Sequence, residues 1–257
     1  MKSNISIIFI LFLIQSFELS HQAFEDVIAG SLKDYKTFEK YWNYLYPWGS
    51  DHNGSARMYG SSNDYSQIYL QNNQIVLKAT RIYTNEGKSK KYPNLKINYH
   101  SGAIHAKEHI LINDQYPDYE IKGEFKAPQN PGTWPAFWLT GVDSWPPEID
   151  ILEFKGNKVN WFNTFRTKDD VKTCKTALSY AWHKYRIWMT KVSKTDVDIY
   201  FSIDDEFKAK HTGNYVGKAF NLIMNLQMEG GAPGTPPMTD TYFYGRNIYV
   251  GRTNTKN

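Results

Sequence analysis

Cysteine is almost missing from this chain. Cys174 is the single one in 257 residues, so no intrachain disulfide and no cysteine-based metal cage can form. A strong excess of one charge sign is missing too. The 30 Lys and Arg stand against 26 Asp and Glu, a formal net charge of +4. With no dense Lys/Arg run, that balance excludes nucleic acid as the expected partner. There is no phosphate-cradling glycine loop, no Gly-x-Ser-x-Gly elbow and no His-Glu-x-x-His pattern, which removes the common nucleotide-binding, serine-hydrolase and zinc-protease readings. His105, His109, His183 and His211 are scattered without metal-ligand spacing and read as packing residues. The hydrophobic share of 41% is too small for a multispanning membrane protein. No linker, low-complexity tract or internal repeat interrupts the chain from Ala23 onward.

One apolar run does stand out. Lys2 is followed by Ile5, Ile7, Ile8, Phe9, Ile10, Leu11, Phe12, Leu13 and Ile14, a charged start and a stretch short of a bilayer span. Residues 1–20 read as a secretory signal peptide, with Ser16 and Ser20 as alternative cleavage points. Residues 21–257 are then expected to be one secreted, monomeric domain, with no membrane attachment after cleavage. Asn53-Gly54-Ser55 is the one glycosylation sequon of that mature region.

What the chain has in surplus is aromatics: 8 Trp, 19 Tyr and 14 Phe, 16% of all residues. They sit in a sequence with period-two alternation. Ile75, Leu77 and Ala79 alternate with Val76 and Lys78, and Tyr119, Ile121, Gly123 and Phe125 alternate with Glu120, Lys122, Glu124 and Lys126. Similar runs cover Tyr185 to Thr190, Val197 to Ile203, Leu222 to Met228 and Asn247 to Arg252. Lys33 to Leu45 fits a short helix or a strand equally well. Many short strands in about 230 residues suit a closed barrel or a two-sheet antiparallel β-sandwich of the jelly-roll kind. The sandwich is the expected fold, because a concave sheet face forms a substrate cleft in which surplus rings stack on flat apolar ligand faces.

The chemistry concentrates in one stretch. Gly132-Thr133-Trp134-Pro135-Ala136-Phe137-Trp138-Leu139 precedes Trp145-Pro146-Pro147-Glu148-Ile149-Asp150-Ile151-Leu152-Glu153-Phe154. On a regular strand Glu148 and Asp150 share one face and Glu153 turns into the core, where an unpaired carboxylate costs several kcal/mol. One extra residue at Ile151 or Leu152, a β-bulge, restores the phase and sets all three acids on the wet face. Glu148 and Glu153 then stand about four strand steps apart, roughly 13 Å along the backbone. Side chains leaning together bring the carboxyls toward the ~5 Å separation of a retaining glycosidase, in which one acid attacks and the other protonates the leaving oxygen. A bare Glu-x-Asp-x-x-Glu would suit an ordinary acidic strand. The company of Trp134, Trp138 and Trp145, whose indoles suit sugar faces, favours the catalytic reading. Trp138 is the one of the three best suited to the core.

These residues resemble the signature of glycoside hydrolase family 16, in the bulged form of the laminarinase-like β-1,3-glucanases, agarases and carrageenases. Ser101-Gly102, Tyr119 to Pro128, and Gly132 to Trp138 occur in the family's order, and the likeness spans roughly Phe38 to Val250. The resemblance implies Glu148 as nucleophile, Asp150 as its assisting carboxylate and Glu153 as general acid/base. It implies Trp134, Trp138 and Trp145 as the shapers of the subsites, and Arg57, Asn163, Asn225 and Gln227 as sugar contacts. The sequence departs from the family pattern at Pro147, in place of the usual Gly, at Asp118-Tyr119, at Asn160 to Arg166, where a His is common, and from Met224 to Gly231. None of these touches the acids, but they speak against laminarin itself as substrate.

The resulting expectation is a secreted, endo-acting, retaining hydrolase of a β-linked polysaccharide, with β-1,3- or mixed β-1,3/1,4-glucan foremost. A galactan of the agarose or carrageenan type, transglycosylation at the same site, and a non-catalytic glucan-binding protein are the alternatives. No cofactor is required, no metal-binding residues are identified, and no Asp-rich loop supports the structural calcium known in the family.

Overall fold

A computed structural model describes residues 23–256, and the expected signal peptide lies outside these described residues. The alternation seen in sequence becomes physical in the strand Asp118–Lys126, where Tyr119, Ile121 and Phe125 are buried and the charged residues between them face outward. That strand sits in a ten-stranded sheet beside His183–Lys191 and Thr241–Asn254. A second sheet of eight strands carries, in spatial order, Val171–Ala177, Val159–Phe165, Glu148–Glu153, Thr133–Gly141, Ala219–Met228, Ala103–Ala106 and Trp42–Tyr44. The two sheets form the expected antiparallel sandwich, apart from one parallel pair, Ala56–Met58 with Tyr99–Ser101.

Aromatic rings join the layers. Phe125 meets Phe137 with ring centroids 4.7 Å apart, and Phe162 meets Phe201 at 4.9 Å. Each of these fully buried rings contributes about 1.5–3 kcal/mol through surface removed from water. The strand Ala219–Met228 lies inside the second sheet with every residue from Phe220 to Met228 buried.

Two stretches differ from simple alternation. The ambiguous segment near Lys33 is both things in turn: a helix at Tyr35–Tyr41, capped by the Asp34 carboxylate accepting from the Thr37 N–H at 2.7 Å, and then the strand Trp42–Tyr44. The last strand begins at Thr241 rather than Asn247. Its register slips between Arg246 and Tyr249, with Asn247 at φ 51°, so Phe243 and Val250 face the same core in opposite phase. A search for unbroken period two therefore sees only the second half. Among the described residues no helix is long and apolar enough to cross a membrane.

Candidate active site

The site lies on the outer face of the eight-stranded sheet and is fixed by strand pairing. Glu148 stands opposite Thr140, Asp150 opposite Trp138 and Glu153 opposite Ala136. Between Phe137, paired with Leu152, and Trp138, paired with Asp150, the register slips by one, which leaves Ile151 as the inserted residue. Ile149, Ile151, Leu152 and Phe154 are all buried. The three carboxylates emerge on one wall of a groove of about 710 Å³, shared with Trp134, Trp138 and Trp145. Thr140 and Ala136 are four residues apart, so Glu148 and Glu153 are separated by roughly 13 Å of strand, and their side chains converge into the same groove.

Each acid is held by a different set of donors. The Trp145 Nε1 donates to Glu148 Oε2 at 2.8 Å, and the Trp134 Nε1 donates to Glu153 Oε1 at 2.8 Å. Asn163 Nδ2 donates to Asp150 Oδ2 at 2.8 Å and to Glu153 Oε2 at 2.9 Å, so its amide bridges two carboxyls. Thr173 Oγ1 in turn donates to Asn163 Oδ1 at 2.8 Å and fixes the amide's orientation. Lys155 Nζ lies 3.2 Å from Glu153 Oε2. Buried Asn160 accepts the Glu153 backbone N–H at 3.1 Å, completing the hold on this residue. Trp134 itself is seated on a turn that needs glycine: Gly230 has φ +63°, and a Cβ there or on Gly231 would come within 2.9 Å of the indole.

Burial sets the electrostatics. It pushes the Glu148 carboxyl up to about 7, with the nearby Glu153 charge adding to the effect and the Trp145 hydrogen bond opposing it. Asp150 is also raised well above the usual carboxylate range, first by burial and then by the charges of Glu153 and Glu148. Three acids in one low-dielectric wall cannot all ionise freely, so the site retains a proton near neutral pH.

The polar residues expected at subsites divide. Asn163 lines the groove, but both of its donors are taken up by the acids. Asn225 Oδ1 accepts from Trp138 Nε1 at 2.7 Å, and Trp138 is 6% exposed, so the pair forms the groove floor. Gln227 and Arg57 have partners within the fold. Gln227 lines the pocket beside the acids, but its amide also clips the backbone: its Oε1 accepts the Ala56 and Met228 N–H groups at 2.8 and 2.9 Å, and its Nε2 donates to Ala56 O at 3.2 Å. Arg57 is away from the acids, where it grips Asp51 at 2.8 and 3.1 Å and reaches Glu86 at 3.5 Å, because paired carboxylates satisfy its guanidinium better than a neutral sugar. Trp145 is half exposed at the rim of the groove.

Sequence reasoning missed His52, Trp48 and Lys155. His52 stacks on Trp138 with centroids 5.9 Å apart and lies 5.1 Å from Trp48, and burial lowers its pKa to about 4, so it is a neutral ring of the wall. Lys155 is two residues beyond Glu153, and alternation alone would have set both on one face. Asn53 lines the groove with its Oδ1 buried, so the sequon faces the cleft. Among the described residues no group of three or more His, Cys, Asp and Glu side chains is arranged to hold a metal ion.

Comparison with known proteins follows the same lines. Residues 68–230 match a family model described as an XgeA-like, catalytic GH16 domain. The chain is 45% identical over 226 residues to a galactan endo-beta-1,3-galactanase of Flammulina velutipes, covering 85% of this chain and 88% of that protein. It is 30% identical over 131 residues to the endo-1,3-1,4-beta-glycanase ExsH of Rhizobium meliloti (strain 1021), covering 47% of this chain and 26% of that protein. Among solved structures, an endo-1,3-beta-glucanase from Streptomyces sioyaensis shares the fold with a TM-score of 0.67 at 19% identity, over 90% of this chain and 97% of its own. The laminarinase catalytic domain from Thermotoga maritima MSB8 does so with a TM-score of 0.63 at 17% identity, over 91% and 99%.

Proposed function

The chain belongs to glycoside hydrolase family 16 and is a glycosidase; from that premise we propose that it is a secreted, monomeric, endo-acting retaining hydrolase of a β-1,3-linked galactan. The observation that carries the chemistry is the bulge at Ile151, which sets Glu148, Asp150 and Glu153 on one groove wall. Glu148 attacks the anomeric carbon and forms a glycosyl ester, while Glu153 gives its proton to the leaving oxygen. Glu153 then takes a proton from water, whose oxygen displaces Glu148 and restores the enzyme with retained configuration.

The neighbours suit these roles. Asp150, raised by burial, keeps a proton between two glutamates and prevents a third negative charge from opposing nucleophile ionisation. Asn163 holds Glu153 at a fixed distance from Asp150, and Trp134 fixes its other oxygen. Trp145 steadies the Glu148 carboxylate with one donor and presents its ring at the rim. Trp138 and His52 form the apolar floor on which a sugar face rests. The open groove suits an internal segment of a polymer.

Support for galactan over glucan is the 45% identity along nearly the whole chain to a galactan endo-beta-1,3-galactanase, against 30% over about half of it for a 1,3-1,4-beta-glycanase. The test is purified protein with β-1,3-galactan, laminarin, lichenan, agarose and carrageenan, with reducing ends and product sizes measured. Release of galacto-oligosaccharides of mixed length is expected. Preferential cleavage of laminarin or lichenan would replace galactan by glucan, and tight binding without cleavage of any of the five would refute the enzyme.

A further inference from the structure

Beside Glu153 lies a cluster that the reaction does not use. Trp161 is two residues before Asn163 on the strand Val159–Phe165 and shares its groove face. Its register partner across the pair with the edge strand is Lys175, whose Nζ stands 3.6 Å from the indole centroid. Lys155 Nζ is 4.9 Å from the same ring, while also 3.2 Å from Glu153 Oε2. One half-buried indole is thus shared by two ammonium groups. Lys175 is exposed, and no carboxylate of the described residues is paired with it. The Trp161 Nε1 is buried without a hydrogen-bond partner. Glu153 already balances Lys155, whereas Lys175 has only the ring, and a cation–π contact at an exposed site returns only about 0.5–1 kcal/mol. An anion beside Lys175 and within reach of Lys155 would give the exposed ammonium a charged partner.

Resting on the galactanase reading above, we propose that Lys155, Trp161 and Lys175 form a subsite for a galactan unit that carries an anionic substituent, a uronate carboxylate or a sulfate ester. The two ammonium groups take the anion by charge-assisted hydrogen bonds, and the sugar packs against the part of the indole that the lysines leave open. Because Lys155 also touches Glu153, the substituent lies within about one sugar ring of the acid/base. An anion at this distance draws the Lys155 ammonium away from the carboxylate whose proton the reaction needs. The substituent therefore acts on the bound complex and selects among galactans of the same backbone.

The test compares three β-1,3-galacto-oligosaccharides of equal length, one neutral, one with a glucuronosyl side unit and one with a sulfate ester, by kcat/KM at low salt. The wild type is expected to prefer at least one charged oligosaccharide over the neutral one by about tenfold, the worth of one charge-assisted contact. Which one it prefers separates carboxylate from sulfate. In Lys175→Gln the charged-to-neutral ratio should fall most of the way to one, and in Lys175→Glu below one; 0.5 M sodium chloride should compress the wild-type ratio similarly. Equal rates on all three, or a preference unchanged in both variants, would overturn the subsite. If no galactan is cut, calorimetric titration of Glu148→Gln with the same three compounds still decides it. Selective binding of a charged one keeps the subsite while the galactanase reading falls, and equal or absent binding removes the subsite as well.

Discussion

Glu148→Gln separates chemistry from stability in one variant. Burial lifts the Glu148 carboxyl from 4.5 to about 7 in the fold. A carboxyl raised in this way contributes stability that is fully present below its unfolded value and is lost as pH rises through the folded one, here between about 4.5 and 7. At about 1.36 kcal/mol for each pH unit in that window, ionising Glu148 within the fold costs at most roughly 3 kcal/mol. Access of the carboxyl to groove water and its shared titration with Asp150 reduce this to about 2 kcal/mol. Gln keeps an oxygen for the Trp145 N–H and carries no charge. The variant should therefore match the wild type in Tm near pH 4.5 and exceed it by about 4–8 °C at pH 8, at roughly 2–4 °C per kcal/mol for a chain of this size. Its hydrolysis of polysaccharide should be lost at every pH. Calorimetric melting of both proteins from pH 4 to 8 is the assay. A Tm difference that does not grow with pH would refute the buried-carboxyl argument, and near-normal turnover would refute the nucleophile.

Other expectations follow from single contacts. Trp145→Phe removes the donor that opposes the rise of the Glu148 pKa, so the acidic limb of kcat/KM should move up by roughly half a pH unit; an unmoved limb in a pH–rate profile would mean that the bond is not made in solution. Asn163→Ala releases both Asp150 and Glu153 and should lower kcat by about 10- to 100-fold with little change in KM, as steady-state kinetics would show. Gln227→Ala leaves the buried Ala56 and Met228 N–H groups without an acceptor, at about 1–3 kcal/mol each, and should lower Tm by about 4–24 °C; an unchanged melt would refute the clip.

Much of this was legible in the chain because it is local. Alternation over Tyr119 to Lys126 needs only neighbouring residues, and the conflict between Glu153 and a regular strand is resolved within six positions by an inserted Ile151. What could not be read is contact across large separations. Gln227 binds the backbone of Ala56, 171 positions away, and no pattern around either residue says so. Arg57 also reaches Glu86, 29 positions away, and His52 stacks on Trp138, far along the chain. Polar residues near a motif are easily taken for ligand contacts when their real partners lie elsewhere in the chain. Asn163 is the intermediate case, since alternation set it on the right face but could not show that the acids use both its hydrogens.

The inserted Ile151 also bears on how such a site can change length. Removing it would bring Glu148, Asp150 and the third acid to strict alternate positions, still on one face and still four steps apart. Removing Ile149 instead would put Glu148 on the opposite face from the other two. The strand therefore has one interval, between Asp150 and Glu153, where either Ile151 or Leu152 can be lost without reversing the direction of any acid, at the expense of one buried aliphatic side chain. A strand of this kind can thus differ in residue count at that interval while the three carboxyls keep their common face and spacing.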